Sequence, residues 1–136
     1  MDKALLDAFR ATDYLVCLDE VEWASIRIDQ PLPAPLQQLV AQRAWGFITA
    51  WHPQAKMRAS ADNRAAQREL LAALRACPGA VIRPAIGIGA SGWHEPSLFV
   101  IGPQRATLDA LARQHRQAAY VHGDGNAPAR LRLLPA

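Results

Sequence analysis

The sequence predicts an α+β fold, with a mostly antiparallel or mixed sheet of about six or seven strands and three main helices. Amphipathic segments at helical spacing alternate with short β-prone runs. The runs come mostly in adjacent pairs, as hairpins do. The two most apolar runs, residues 46–51 and 97–101, lack polar alternation, which is the pattern of strands covered on both faces. The expected order is helix, two strands, helix, strand, helix, two strands, helix, two strands. Adjacent hairpins favour α+β over a doubly wound sheet.

Residues 3–11 place Leu5, Phe9 and Thr12 on one side of a short helix. Residues 14–18 and 23–28 form a hairpin joined by the acidic stretch Asp19-Glu20-Val21-Glu22. Pro31, Pro33 and Pro35 make a rigid connector, and Pro35 suits the first turn of a helix because its missing N–H has no partner there. That helix carries a stripe of Leu36, Leu39, Val40 and Ala44, and residues 46–51 then form a strand ended by Pro53. A helix over 61–76, capped by Ser60, buries Ala66, Leu70, Ala73, Leu74 and Cys77 while Arg64, Gln67, Arg68 and Arg75 face water. Residues 80–88 read as a strand whose Pro84 argues for an edge position or a bulge. Gly102-Pro103 opens a helix with Leu108, Leu111, Ala112 and His115 inward. Residues 118–122 form a strand, Gly123-Asp124-Gly125-Asn126 a turn, and Leu131 and Leu133 alternate with Arg130 and Arg132 on an edge strand. No repeat or linker interrupts the chain, so residues 1–136 read as one domain.

Composition narrows the class. Of 136 residues, 51% are hydrophobic and 20% charged, which suits a globular chain. No apolar run approaches the roughly 20 residues of a membrane-spanning helix. Asp7 and Arg10 break the start of the chain, so no secretory signal is expected. Cys17 and Cys77 read as reduced core thiols, and a bacterial cytoplasm fits best. The net charge of +3 rests on thirteen Arg and two Lys scattered without a polybasic run. Nucleic acid is therefore the weaker candidate partner.

Several motifs mislead. Gly87-Ile-Gly89-Ala-Ser-Gly92 matches a dinucleotide fingerprint letter for letter, but a strand follows where a helix N-terminus must receive the pyrophosphate. The glycines serve instead to permit an unusual turn. Ser91 lacks the second glycine of a nucleophile elbow. His52, His94, His115 and His122 are widely separated, and neither cysteine has a partner at zinc-ligand spacing, so no metal or cofactor is expected. His115 reads as a core or boundary histidine and His122 as exposed.

Two segments carry chemistry. In Phe47-Ile48-Thr49-Ala50-Trp51-His52-Pro53, a buried strand delivers Thr49, Trp51 and His52 to its end, followed by Asn63 at a helix start, a suitable place for a small polar or anionic ligand. In Trp93-His94-Glu95-Pro96-Ser97, an indole, an imidazole, a carboxyl and a hydroxyl fall within five residues at a loop–strand junction. The same residues also suit bracing: Thr49 bonding local backbone, Trp51 packing, Asn63 capping, Glu95 pairing with an arginine. The leading functional expectation is a small-ligand site lined by Thr49, His52, Asn63, Trp93, His94 and Ser97 near Glu95. The second is a hydrolase or transferase with Glu95 as acid or base, assisted by His52 or His94 and with Asn63 or Ser97 orienting the substrate. The third is an interaction module using the arginine-bearing helix faces around 64–75 and 105–116. A homodimer through the edge strand 131–134 stays open.

These residues carry a resemblance. Ile48-Thr49-Ala50-Trp51-His52-Pro53, Ser60-x-x-Asn63, Trp93-His94-Glu95-Pro96-Ser97 and Gln117-Ala118 resemble a bacterial family called domain of unknown function 3293, over a span from about Thr12 to the C-terminal strand. The family typically has Asn where this chain has His52. The resemblance implies small cytoplasmic bacterial proteins without an assigned activity, and it argues against His52 as an obligatory proton carrier.

Overall fold

The computed structural model describes residues 1–135. The elements appear in the expected order: α1 (Lys3–Ala11), β1 (Asp13–Cys17), β2 (Trp23–Ile26), α2 (Ala34–Val40), β3 (Ala44–Ile48), α3 (Ser60–Arg75), β4 (Val81–Ile88), β5 (His94–Ile101), α4 (Arg105–Gln114), β6 (Ala119–Asp124) and β7 (Arg130–Leu133). All seven strands form one sheet in the order β2-β1-β4-β5-β3-β6-β7, and each neighbouring pair is antiparallel. The fold is α+β.

Helices cover both faces of the sheet. On one face, Trp45 and Phe47 of β3 and Phe99 and Ile101 of β5 pack with Leu36 and Val40 of α2, and Phe9 of α1 leans on the same cluster. On the other, Ile48 of β3 and Leu98 and Val100 of β5 pack with Leu70 and Leu74 of α3 and with Leu108 and Ala112 of α4. Successive strand residues point to opposite faces, so β3 and β5 need apolar side chains at every position. That is why their sequences lack alternation. Asp109 ties α4 to the far edge of the sheet. Tyr120 donates its hydroxyl to Asp109 Oδ1 at 2.6 Å, and Arg132 donates to both carboxylate oxygens at 3.2 and 2.9 Å. The Arg132 hydrogen bonds hold the Asp109 carboxyl below its ordinary range.

Several local expectations are corrected. Ala44 does not extend the second helix. Ala41, at a φ of 56°, ends that helix, and Ala44 opens β3. The strand expected over 46–51 stops at Ile48. Ser60 is the first helical residue and caps nothing, because the N-cap is Ala59 without a side-chain bond. Gln67, expected in water, is half-buried and bonded to the loop before it. Pro84 lies in an interior strand. It is tolerated because the β1 ladder reaches only Ala85, so no neighbour on that side calls for its missing N–H. The segment 93–97 is mostly strand, since β5 begins at His94. The helix after Gly102-Pro103 opens later, at Arg105. Asp124 ends β6 before the turn, and His122 is half-buried. On the edge strand Arg132 points to the α4 side, and Leu133 is exposed at 42%, as is Arg130.

Gly123 faces Trp45 across the β3–β6 ladder. A Cβ there would lie 2.6 Å from Trp45 Nε1 and 2.7 Å from two ring carbons of an indole with no exposure. The rigid ring cannot give way as a flexible chain would. Gly123→Ala is expected to lower stability by about 1–3 kcal/mol, measured by urea unfolding. An unchanged midpoint would mean that the β6 backbone moves away from the ring at no energetic cost.

Candidate functional site

Three consecutive backbone N–H groups leave the sheet at the end of β3 and find side-chain acceptors. Ala50 N donates to Gln67 Oε1 at 2.8 Å, Trp51 N to Thr49 Oγ1 at 3.1 Å and His52 N to Asn63 Oδ1 at 3.0 Å. Thr49 Oγ1 itself donates to the Pro96 carbonyl at 2.8 Å, so the two segments singled out in the sequence touch directly. The loop then closes on itself. Arg58 Nε donates to Asn63 Oδ1 at 2.9 Å and Arg58 Nη2 to the Ala50 carbonyl at 2.9 Å. Asn63 Nδ2 donates to the Arg58 carbonyl at 3.0 Å. Gln117 Nε2 fastens the loop to the end of α4 through the Trp51 carbonyl at 3.0 Å.

His52 adopts the left-handed conformation at φ 47°, which Asn, Asp and His tolerate better than other non-glycine residues. Its Nδ1 accepts the Arg58 backbone N–H at 3.1 Å, so the ring proton belongs on Nε2. An Asn here would offer Oδ1 to the same N–H. The position thus asks for a residue that tolerates the left-handed backbone and supplies one acceptor. Burial, and then the Arg58 charge, hold the His52 pKa below its ordinary value.

Beside this brace lies a cavity of about 410 Å³ between α1 and the face of the sheet that carries Tyr14 and Phe47. Such a volume suits a small molecule. Leu5 and Phe9 of α1 roof it, Tyr14, Phe47, Glu95 and Ser97 form its floor, and the exposed Met57 and Trp93 stand at its rim. Space for it comes from Gly87, which sits between Tyr14 and Glu95 in one row across three strands. Gly87 therefore serves in a strand, through its missing side chain, and the unusual turn falls instead at Ser91 and Gly92, with φ of 59° and 75°.

Of the candidate residues, Thr49, His52, Trp93, Glu95 and Ser97 all line this cavity. Two do not. Asn63 is fully buried in the loop brace, and His94 alternates away from Glu95 along β5 and is exposed, with its Nδ1 at 3.3 Å from the Gly92 carbonyl. The Glu95 carboxyl has no hydrogen-bond or ion-pair partner among the described residues, and burial alone pushes its pKa up to about 8. The expected arginine partner is therefore not found. Nothing in residue order marks α1 as the roof of the site or Arg58 and Gln67 as its braces. Only Gln117 was within reach, through the family motif.

Two outcomes follow from this geometry. Asn63→Ala strands the His52 N–H and the Arg58 side chain, and is expected to destabilise by about 2–3 kcal/mol in urea unfolding. His52→Asn keeps both the left-handed residue and the acceptor, and is expected to change stability by about 1 kcal/mol or less. Equal losses in the two variants would show that the imidazole has a role the amide cannot supply. Glu95 acts on stability through pH. Its pKa rises from 4.5 unfolded to about 8 folded, so the folded chain keeps a proton that the unfolded chain releases between those values. Stability contributed by this group is complete below about pH 4.5 and falls as pH rises towards 8, by up to about 1.4 kcal/mol per pH unit. Glu95→Gln removes that fall. The lowered pKa values of His52, His115 and His122 act alike in both proteins and cancel in the difference. A stability difference that stays constant from pH 5 to 8 would contradict a partly desolvated, unpaired carboxyl.

Comparison with known proteins gives one match. No curated protein and no solved structure matches the chain. The family model described as protein of unknown function (DUF3293) matches residues 48–120, a narrower span than the motifs suggested but one that holds the loop brace, Glu95 and Gln117. With more than half of its length matched, the chain belongs to the DUF3293 family.

Proposed function

We propose that this protein binds a small, largely apolar molecule in the cavity beneath α1, with Glu95 as its polar anchor. One observation carries the reading: an unpaired carboxyl on the floor of an otherwise mostly apolar cavity. Glu95 is half-buried; a partly desolvated carboxyl without a partner costs free energy, and a ligand that bonds to it recovers that cost. The lining favours an apolar body over the polar or anionic ligand expected from the sequence, because the cavity walls hold no Lys or Arg among the described residues.

Binding is favoured over hydrolysis or group transfer by the state of the hydroxyls. Thr49 donates to the Pro96 carbonyl and Ser97 to the Glu95 carbonyl at 3.1 Å. Neither offers its proton to the Glu95 carboxyl or to His52, as an activated nucleophile must. The free thiols Cys17 and Cys77, together with the family, support a bacterial cytoplasmic setting.

Gly87→Leu and Ser97→Leu each place a branched chain in the cavity from a different strand. Wild-type protein is expected to bind a neutral naphthylmethanol saturably in a thermal-shift titration, and each variant to lose the shift while keeping the wild-type circular dichroism. Equal shifts in wild type and both variants would locate the ligand elsewhere and sink the proposal.

A further inference from the structure

We propose that the ligand of this cavity is an organic amine, its apolar body seated under α1 and its ammonium group on the Glu95 carboxylate. This rests on the reading that the cavity is a ligand site and names the chemistry that fits it. The argument comes from counting donors and acceptors on the walls. Five residues of the lining carry hydroxyls; Tyr120 turns its own to Asp109 on the other side of the sheet, and the other four spend their protons on backbone carbonyls. Thr12 donates to the Ala8 carbonyl at 2.7 Å, Tyr14 to Phe9 at 2.6 Å, Thr49 to Pro96 at 2.8 Å and Ser97 to Glu95 at 3.1 Å. Such hydroxyls retain only lone pairs for a ligand. Gln117, also in the lining, directs its amide N–H groups at the Trp51 and His115 carbonyls. Its oxygen is what remains. Glu95 is an acceptor when ionised. Among the described residues, the side-chain donors left in the lining are the His52 Nε2–H and, at the rim, the Trp93 indole N–H.

A wall rich in acceptors and poor in donors selects a ligand that donates. An ammonium supplies three N–H groups and no acceptor, whereas a carboxylate or phosphate would meet lone pairs and a carboxyl. The aromatic rings point the same way. Phe9, Tyr14, Phe47 and Trp93 line the cavity, and ring faces attract cations, more strongly once desolvated. No Lys or Arg lines the cavity to oppose a cation, among the described residues. The carboxylate–ammonium pair is neutral as a whole, so the apolar surroundings accept it where they resist either charge alone.

The pairing has a proton balance. Glu95, protonated through much of the neutral range in the empty cavity, must lose its proton for the ion pair to form, while the amine keeps its own. Amine affinity therefore rises with pH until Glu95 is ionised without help, at about pH 8. The other titratable groups facing the cavity are Tyr14 from β1 and His52 from the loop, since Tyr120 of β6, also in the lining, turns its hydroxyl away to Asp109. Burial pushes Tyr14 above and His52 below their ordinary values, so neither titrates between about pH 7 and 8. The α1 residues in the lining carry no titratable group.

The test is isothermal titration of the intact chain with three probes sharing one ring: naphthylmethylamine, naphthylmethanol and naphthoate. The amine is expected to bind at least about tenfold tighter than the alcohol at pH 8, with naphthoate the weakest. Its affinity should fall several-fold, and at most about tenfold, on going from pH 8 to pH 7, while that of the alcohol stays flat. Glu95→Gln should bring the amine down to the level of the alcohol and leave the alcohol unchanged. Amine and alcohol binding equally, or an amine insensitive to Glu95→Gln, would overturn the amine assignment and leave the cavity reading standing. If none of the three binds, both readings fall.

Discussion

The end of β3 governs the site. Ala50, Trp51 and His52 each carry a backbone N–H that has left the sheet, and a buried N–H without an acceptor is among the costliest defects a fold can hold. Gln67, Thr49 and Asn63 accept these protons. Two of the three acceptors stand on α3, so the helix that packs one face of the sheet also sets the loop that borders the cavity on the other. Thr49 adds a bond to the β5 carbonyl of Pro96. The position of His52 and of the cavity edge thus follows from where α3 docks, and α3 docks through Leu70 and Leu74 on the apolar back of β3 and β5.

The cavity arises from unequal coverage. On the α3 and α4 face, helices of sixteen and ten residues fill the space over the sheet. On the opposite face the cover is α2, of seven residues, and α1, of nine with no buried residue. Beneath α1 the sheet presents Gly87, Ser97 and Ala119, which are small, beside Tyr14 and Phe47, which are large. Small side chains under a thin layer leave a void, and interiors otherwise pack too densely to hold one of this size. The helix is held over it by few bonds. Tyr14 donates to the Phe9 carbonyl, and Arg27 reaches the carbonyls of Ala11 and Arg10 at 2.9 and 3.3 Å.

Much of this was legible from residue order, and the division between what was and was not is physical. The element sequence and the two-sided burial of β3 and β5 follow from hydrophobic periodicity, which reports local geometry directly. Thr49, His52, Trp93, Glu95 and Ser97 stood out because polar groups interrupt apolar strands there, and all five line the cavity. Asn63 stood out for the right reason, its place beside a helix start, but it bonds to the loop and not to its own helix. The role of α1 was hidden, because an amphipathic stripe such as Leu5, Phe9 and Thr12 looks the same over a filled core as over a void. The same holds for Gly87. A glycine in a G-x-G pattern suggests a turn, and nothing local reveals that it lies opposite Tyr14 on one side and Glu95 on the other. Arg58 and Gln67 were missed because charged and amide side chains near helix starts usually face water.

Two departures from the cheapest structure meet at the cavity. His52, Gln54 and Ala55 hold positive φ angles within four residues, and strained non-glycine backbone persists only where the surroundings over-determine it. Glu95 sits half-buried and partly desolvated, its carboxyl without a partner among the described residues. Elsewhere the same chain handles a buried carboxylate differently: Asp109 receives one tyrosine and one bidentate arginine and stays ionised. The chain therefore has the means to satisfy an acid, and at Glu95 it does not use them. Replacing this acid by a neutral group would relieve the desolvation without disturbing any side-chain bond described here. A purely structural role accounts for Asp109, since removing it breaks a clasp. It does not account for Glu95, whose carboxyl braces nothing. A group that costs stability and supports no contact of its own is explained by a partner that arrives from outside.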